Sequence, residues 1–99
     1  MKRTVVRYRT KPETAQENER LIESVFQELR EKSPDGVRYL ALRLGDGTFV
    51  HFVEVADGAA SVTALDAFRT FQSGIKERCL DQPQAAEAKI VGNFRMLAE

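Results

Sequence analysis

Apolar and polar residues alternate at the start of the chain and then change to a helical spacing, which sets the order of the predicted elements. Residues 4–10 are rich in β-branched and aromatic side chains and predict a strand that stops before Pro12. From 13 to 32, apolar residues recur every three or four positions and predict an amphipathic helix that the breaker segment 33–36 ends. Its inward positions are Leu21, Ile22, Val25, Phe26 and Leu29.

Two further strands, 37–44 and 49–55, flank Gly45-Asp46-Gly47 and predict a hairpin. A two-residue turn puts the leucines at 40, 42 and 44 on one face with Phe49, His51 and Val53. A three-residue loop instead puts these leucines beside Val50 and Phe52, and leaves Tyr39, Ala41 and Arg43 beside Phe49, His51 and Val53. We favour the second register because it concentrates apolar groups on the leucine face.

A second helix is predicted from Ser61 or Thr63 to about Cys79, followed by a short extra turn at 81–86 and a last strand at 88–97. The inward positions of this helix are Leu65, Phe68, Phe71, Ile75 and Cys79. The order strand, helix, strand, strand, helix, strand predicts an α+β, ferredoxin-like fold whose four antiparallel strands carry both helices on one face.

The predicted sheet has apolar side chains on both faces, and two helices cover only one of them. In the favoured register the second face carries Tyr39, Phe49, Val53 and Val91. Exposing such side chains costs roughly 1.5–3 kcal/mol each relative to burial. We therefore expect a homodimer in which two sheets pack face to face.

Composition narrows the classes of function. A chain of 99 residues predicts a single domain spanning 1–99, and 15 basic against 15 acidic residues argue against nucleic acid or an anionic membrane as partner. Cys79 is the only cysteine and His51 the only histidine, which argues against a disulfide and a metal site. No segment has the apolar length of a signal peptide or a membrane span, so we expect a cytoplasmic protein.

Several segments together resemble a known family. They are residues 5–13, the helix after them, the strand that follows Gly36, the hairpin ending in residues 52–57, and residues 65–75. In this order they are similar to antibiotic biosynthesis monooxygenase-like domains of the dimeric α+β barrel superfamily. The resemblance implies a dimeric α+β barrel, and an activity such as cofactor-independent oxygenation of aromatic polyketides or quinols, or haem degradation.

This chain departs from the family at the positions where the resemblance implies chemistry. The family commonly places a histidine on the second helix, where this sequence has Phe68 and Ile75. The haem-degrading branch also uses a tryptophan and an axial histidine, whereas this chain has no tryptophan and its histidine lies in a predicted strand. Haem degradation is therefore disfavoured, and no cofactor is expected.

His51 is the candidate catalytic residue, because a group that titrates near neutral pH suits a general base acting on a phenol. The alternative is a sheet histidine that is satisfied by a neighbour or lies at the dimer interface. The candidate substrate-binding residues are Arg7, Tyr39, Arg43, Phe68 and Asn93. For these, the alternatives are surface ion pairs and ordinary packing. Two functions remain open: a small monooxygenase acting on an aromatic or quinol-type molecule, and a non-catalytic homodimer that binds a small molecule or has a structural role.

Overall fold

The computed structural model describes residues 1–97. Its sheet contains β1 (Lys2–Thr10), β2 (Val37–Arg43), β3 (Thr48–Val55) and β4 (Cys79–Glu87), antiparallel and in the order β2-β3-β1-β4. The helices are α1 (Ala15–Lys32), α2 (Asp66–Ser73) and α3 (Ile75–Arg78), and 3₁₀ turns at Pro12–Thr14 and Val62–Ala64 precede α1 and α2. This is the predicted ferredoxin-like, α+β arrangement. No helix within residues 1–97 has the length and apolar character needed to cross a membrane.

The long helix α1 packs on the sheet through the stripe that its sequence predicts. Ile22 and Val25 are buried, and the other three predicted inward residues pack against the same core. One buried position on this stripe is polar, since Asn18 has no exposed surface. The helix ends at Ser33, which adopts a left-handed conformation with φ of 44° and donates its backbone N–H to the carbonyl of Leu29.

The hairpin between β2 and β3 has the favoured three-residue loop. Leu44 and Thr48 close it through a backbone hydrogen bond, and Arg43 pairs with Phe49. Gly47 adopts φ of +85°, a conformation that glycine enters without steric cost. The register therefore places Tyr39 and His51 on one face of the sheet, because side chains two residues apart along a strand share a face and paired residues do too.

The two faces of the sheet are exchanged relative to the prediction. The face with Tyr39, Phe49 and Val53 packs against the helices, and Phe49 is only 1% exposed. The leucine face is the open one, with Leu40 and Leu42 nearly half exposed. The reason is that Tyr8 of β1 stacks on Phe49, so the larger aromatic surface forms the core beneath α1 and α2.

The predicted last strand and the extra turn before it are wrong. Residues 79–87 form β4, which pairs with β1, and residues 88–97 contain no strand. The second helix also breaks at Gly74 into α2 and α3, and Cys79 begins the strand instead of ending the helix. Its predicted inward side chains nevertheless join the core. Pro83 made β4 resemble a turn, but the strand lies at the edge of the sheet, where proline is tolerated.

Candidate functional site

A largely apolar pocket of about 280 Å³ lies between the helix-facing side of the sheet and α2. Its walls include Val6, Tyr39, His51 and Val53 from the strands and Phe68 and Phe71 from α2. The alternation of β1, β2 and β3 directs the strand residues to this face, and the helical spacing of 68 and 71 places both phenylalanines opposite them. The result is an aromatic compartment with few polar groups.

His51 lines this compartment and is 4% exposed. Its Nε2 lies 2.9 Å from the Tyr8 hydroxyl oxygen, and its Nδ1 lies 2.7 Å from the Tyr39 hydroxyl oxygen. The ring also packs beside Phe71, with 5.6 Å between the centroids. Both ring nitrogens are therefore engaged by tyrosine hydroxyls from the two neighbouring strands.

Burial determines the protonation of all three side chains. Removal from water lowers the pKa of His51 to about 4, so the imidazole is neutral at neutral pH. Burial is also the largest cause that raises the pKa of Tyr8, and it raises the pKa of Tyr39. Both hydroxyls consequently keep their protons, and the polar centre of the pocket carries no charge.

The hydrogen-bond chain continues behind the pocket into the core. The Asn18 amide nitrogen donates to the Tyr8 hydroxyl oxygen at 2.9 Å. The Arg78 Nε donates to the Asn18 amide oxygen at 3.0 Å, and Arg78 is 5% exposed. The same guanidinium donates to the carbonyl of Phe71 at 2.6 Å and caps the end of α2. Five side chains from β1, β2, β3, α1 and α3 thus form one network, which is buried except at the partly exposed Tyr39.

The structure brings together three of the six predicted site residues. His51, Tyr39 and Phe68 line the same pocket. Arg7 instead projects from the open face, in a groove beside β4. Arg43 pairs with Glu19 at 3.5 Å on the surface.

Asn93 lies in the irregular segment after β4, where its side chain bonds to the backbone of Leu97 at both ends. It is near the open face of the sheet, on the side away from His51. The roles predicted for Arg7, Arg43 and Asn93 therefore find no support from a pocket shared with His51.

Asn18 and Arg78 are the site residues that the sequence did not reveal. Both are polar residues in helical segments and look like solvated positions. One signal existed for Asn18: it stands three and four residues before Leu21 and Ile22, on the apolar stripe of the helix. Arg78 had no such signal, because its burial depends on the break in the helix at Gly74.

The lone thiol is a core group. Cys79 is 5% exposed, and burial raises its pKa. Among residues 1–97, no three His, Cys, Asp or Glu side chains are grouped as ligands of a metal ion.

The fold is shared with several solved structures that are named as antibiotic biosynthesis monooxygenases. A structure from Bacteroides thetaiotaomicron, named "putative antibiotic biosynthesis monooxygenase", is 16% identical with a TM-score of 0.79, over 98% of this chain and 95% of that one. A protein of the same name from Nitrosomonas europaea is also 16% identical, with a TM-score of 0.74, over 93% of this chain and 100% of that one.

A third structure of that name, from Caulobacter crescentus, is 14% identical with a TM-score of 0.71, over 92% of this chain and 90% of the other. No protein-family model and no curated protein matches the sequence. At these identities the likeness establishes the fold, which is that of the antibiotic biosynthesis monooxygenase-like domains.

Proposed function

We propose that this protein is a small cofactor-independent monooxygenase that binds an aromatic or quinol-type molecule in the pocket beneath α2. The observation that carries the proposal is the placement of a neutral His51–Tyr39 pair in an otherwise apolar, aromatic compartment. Ligand pockets commonly combine apolar walls with a few convergent polar groups. The fold shared with proteins named as monooxygenases supports the same class.

The pocket favours a small, flat substrate. Its volume of about 280 Å³ is just below the usual range of ligand pockets, roughly 300–1,000 Å³. Phe68 and Phe71 offer ring surfaces for stacking, while Tyr39, which is bonded to His51, offers a hydroxyl group. An anthrone or a hydroquinone has this combination of a flat aromatic body and an oxygen at its edge.

For an anthrone, the proposed reaction converts a ring-activated CH₂ group into a carbonyl. Loss of a proton to water gives an enolate, whose carbon adds O₂ to form a hydroperoxide after reprotonation. The hydroperoxide then loses water, which leaves one oxygen atom in the new carbonyl and the other in water. The protein would accelerate the first step by stabilising the negative oxygen of the enolate.

A non-catalytic role in binding a small molecule is the second candidate, and one observation favours it. Both nitrogens of His51 are bonded to tyrosines, and burial lowers its pKa to about 4, so no free base faces the pocket. In this case the same compounds would bind without being oxidised. Both candidates therefore predict that these compounds bind, but only the monooxygenase predicts that they are oxidised.

Oxygen consumption with a panel of anthrones and hydroquinones tests the proposal. The wild type is expected to consume oxygen with at least one compound, and His51→Gln about 100-fold more slowly, because it removes the imidazole that holds Tyr39. Ser73→Ala, an exposed change on α2, serves as the control and is expected to match the wild type. Circular dichroism verifies that each variant is folded.

Two results would contradict the monooxygenase proposal. Equal rates of oxygen consumption for the wild type and His51→Gln would show that the pocket takes no part in the reaction. Binding of the panel in calorimetry, with no oxygen uptake by the wild type, would establish the second candidate instead.

We also propose that two copies of the protein pair through their open faces. Leu40 and Leu42 are 45% and 48% exposed there, and Phe94 and Met96 of the segment after β4 are each 78% exposed. Charges on this face are partly paired, since Glu54 bonds to Arg3 at 2.8 Å and Asp81 lies 3.2 Å from Arg9. The exposed apolar side chains of this face are stabilised when an identical face covers them.

A further inference from the structure

The network behind the pocket begins at a group that can only donate. A guanidinium has no acceptor atom, so Arg78 Nε must donate to the oxygen of the Asn18 amide, 3.0 Å away. This contact assigns the oxygen and the nitrogen of the Asn18 amide. The Asn18 nitrogen then faces Tyr8 and donates to its hydroxyl oxygen at 2.9 Å.

Arg78 is held from several sides. Its guanidinium donates to the carbonyl of Phe71, and its own carbonyl accepts from the backbone N–H of Lys11 and the hydroxyl of Thr14, each at 2.8 Å. A Cβ atom at Gly74 would lie 3.1 Å from a guanidinium nitrogen, so glycine leaves the space that the side chain needs. The first donor of the network is therefore fixed in position.

The next step is decided by the single hydrogen of the Tyr8 hydroxyl. Since its oxygen accepts from Asn18, the hydrogen is available for His51 Nε2, 2.9 Å away. If His51 donated instead, the Tyr8 hydrogen would have no acceptor among residues 1–97. Tyr8 is 2% exposed, so such an unpaired donor would also lack water.

The imidazole of His51 sets the direction of the next hydrogen bond, which joins it to Tyr39. A neutral histidine carries one N–H, and when Nε2 accepts, the hydrogen is on Nδ1. Nδ1 therefore donates to the Tyr39 hydroxyl oxygen at 2.7 Å. Within residues 1–97, the Tyr39 hydroxyl has no hydrogen-bond partner other than His51, and Tyr39 lines the pocket.

We infer that Arg78, Asn18, Tyr8 and His51 form a one-way hydrogen-bond relay that leaves Tyr39 as the hydroxyl donor aimed at the ligand. This inference rests on the proposed function of the pocket and assigns the roles within it. Tyr39 is the residue that contacts the ligand, and His51 is a positioning residue, not a base. The matching ligand presents an oxygen acceptor, such as the enolate oxygen of an anthrone or the phenolate of a hydroquinone.

Nuclear magnetic resonance of ¹⁵N-histidine-labelled protein tests the direction of the relay. The chain contains one histidine, so its two ring nitrogens give the only labelled signals. The wild type at neutral pH is expected to show the Nδ1–H tautomer. Asn18→Asp should reverse it to Nε2–H, because a carboxylate accepts from both Arg78 and Tyr8 and obliges Tyr8 to accept from His51.

An Nε2–H tautomer in the wild type would overturn the inference, and this measurement does not depend on how well Asn18→Asp folds. An unchanged tautomer in a folded Asn18→Asp protein would overturn it as well. Neither result depends on oxygen consumption. The relay can therefore be correct when the monooxygenase proposal fails, and incorrect when that proposal holds.

Binding of 4-nitrophenolate, followed by its absorbance, tests the end of the relay. Tyr39→Phe and Asn18→Asp are each expected to weaken binding at least about tenfold, because each removes the hydrogen bond to the charged oxygen. Ser73→Ala should bind as the wild type does. Equal affinity for Tyr39→Phe and the wild type would overturn the role of Tyr39 as donor.

Discussion

The burial of His51 couples the stability of the protein to pH. Its pKa is about 4 in the folded chain and 6.5 in the unfolded chain, so the unfolded state binds more protons between these values. The stabilising contribution of neutral His51 is complete above pH 6.5 and is lost as the pH falls towards 4. Lowering the pH from 7 to 5 is expected to reduce the free energy of unfolding by about 2 kcal/mol.

Urea denaturation of the wild type and His51→Gln at both pH values measures this effect. Glutamine does not titrate, so the variant should lose much less stability than the wild type. Carboxyl groups with lowered pKa, such as Glu28 and Asp46, have ordinary values of 4.5 and 3.8 and act mainly at lower pH. Equal losses in the two proteins would contradict the buried, neutral state of His51.

Local pattern predicts where single residues lie, while their roles in a functional site stay predictions. His51, Tyr39 and Phe68 were predicted as site residues, because each is a chemically distinctive side chain on a periodic element. Asn18 and Arg78 were not predicted as site residues, because the contact between them joins positions 60 residues apart in the chain. Their role is a property of the packed core, which no local pattern contains.

Among the elements, the β2–β3 hairpin gives a direct test of backbone conformation. Gly47 has φ of +85°, whereas Gly45 lies in open space without a positive φ. Gly47→Ala is expected to lower the free energy of unfolding by about 1–2 kcal/mol, the cost of a left-handed conformation for an L-residue. The matched change Gly45→Ala should alter it by no more than about 0.5 kcal/mol in chemical denaturation.

A similar loss of stability at both glycines would show that the loop does not have this conformation. The favoured register itself was predictable, because the Gly-Asp-Gly spacing limits the loop to two choices. The exchange of the two faces was not. Leucines and aromatics are both apolar, so local pattern does not say which set the helices cover; in the folded chain the covered face is the one where Tyr8 stacks on Phe49.

The end of the chain was the least predictable element. Residues 88–97 alternate in a way typical of a strand, but β4 already fills the edge beside β1. The segment instead lies near Val5 and Leu40 on the open face, with a cavity of about 660 Å³ between them. An apolar alternating segment that pairs with no strand of its own sheet is consistent with the proposed contact between two copies.

At the scale of the whole molecule, assembly is the testable consequence of the open face. Sedimentation of the wild type at micromolar concentration is expected to give a dimer. Leu42→Glu should give a folded monomer, because pairing would bury a carboxylate in an apolar contact. Gln27→Glu places the same charge on an exposed position of α1 and should leave the dimer intact. A monomeric wild type, or a dimeric Leu42→Glu protein, would contradict pairing through this face.

The edge strand β4 also has features that oppose the addition of further chains. A free strand edge is a template for uncontrolled addition of further chains, and natural proteins interrupt such edges with proline, charge and irregular register. Here Pro83 removes a backbone donor, Asp81 adds a charge, and the pairing with β1 shifts twice between Arg7 and Thr10. Growth into fibrils along this edge is thereby discouraged, while the open face with Leu40 and Leu42 remains available for a closed, self-limiting assembly.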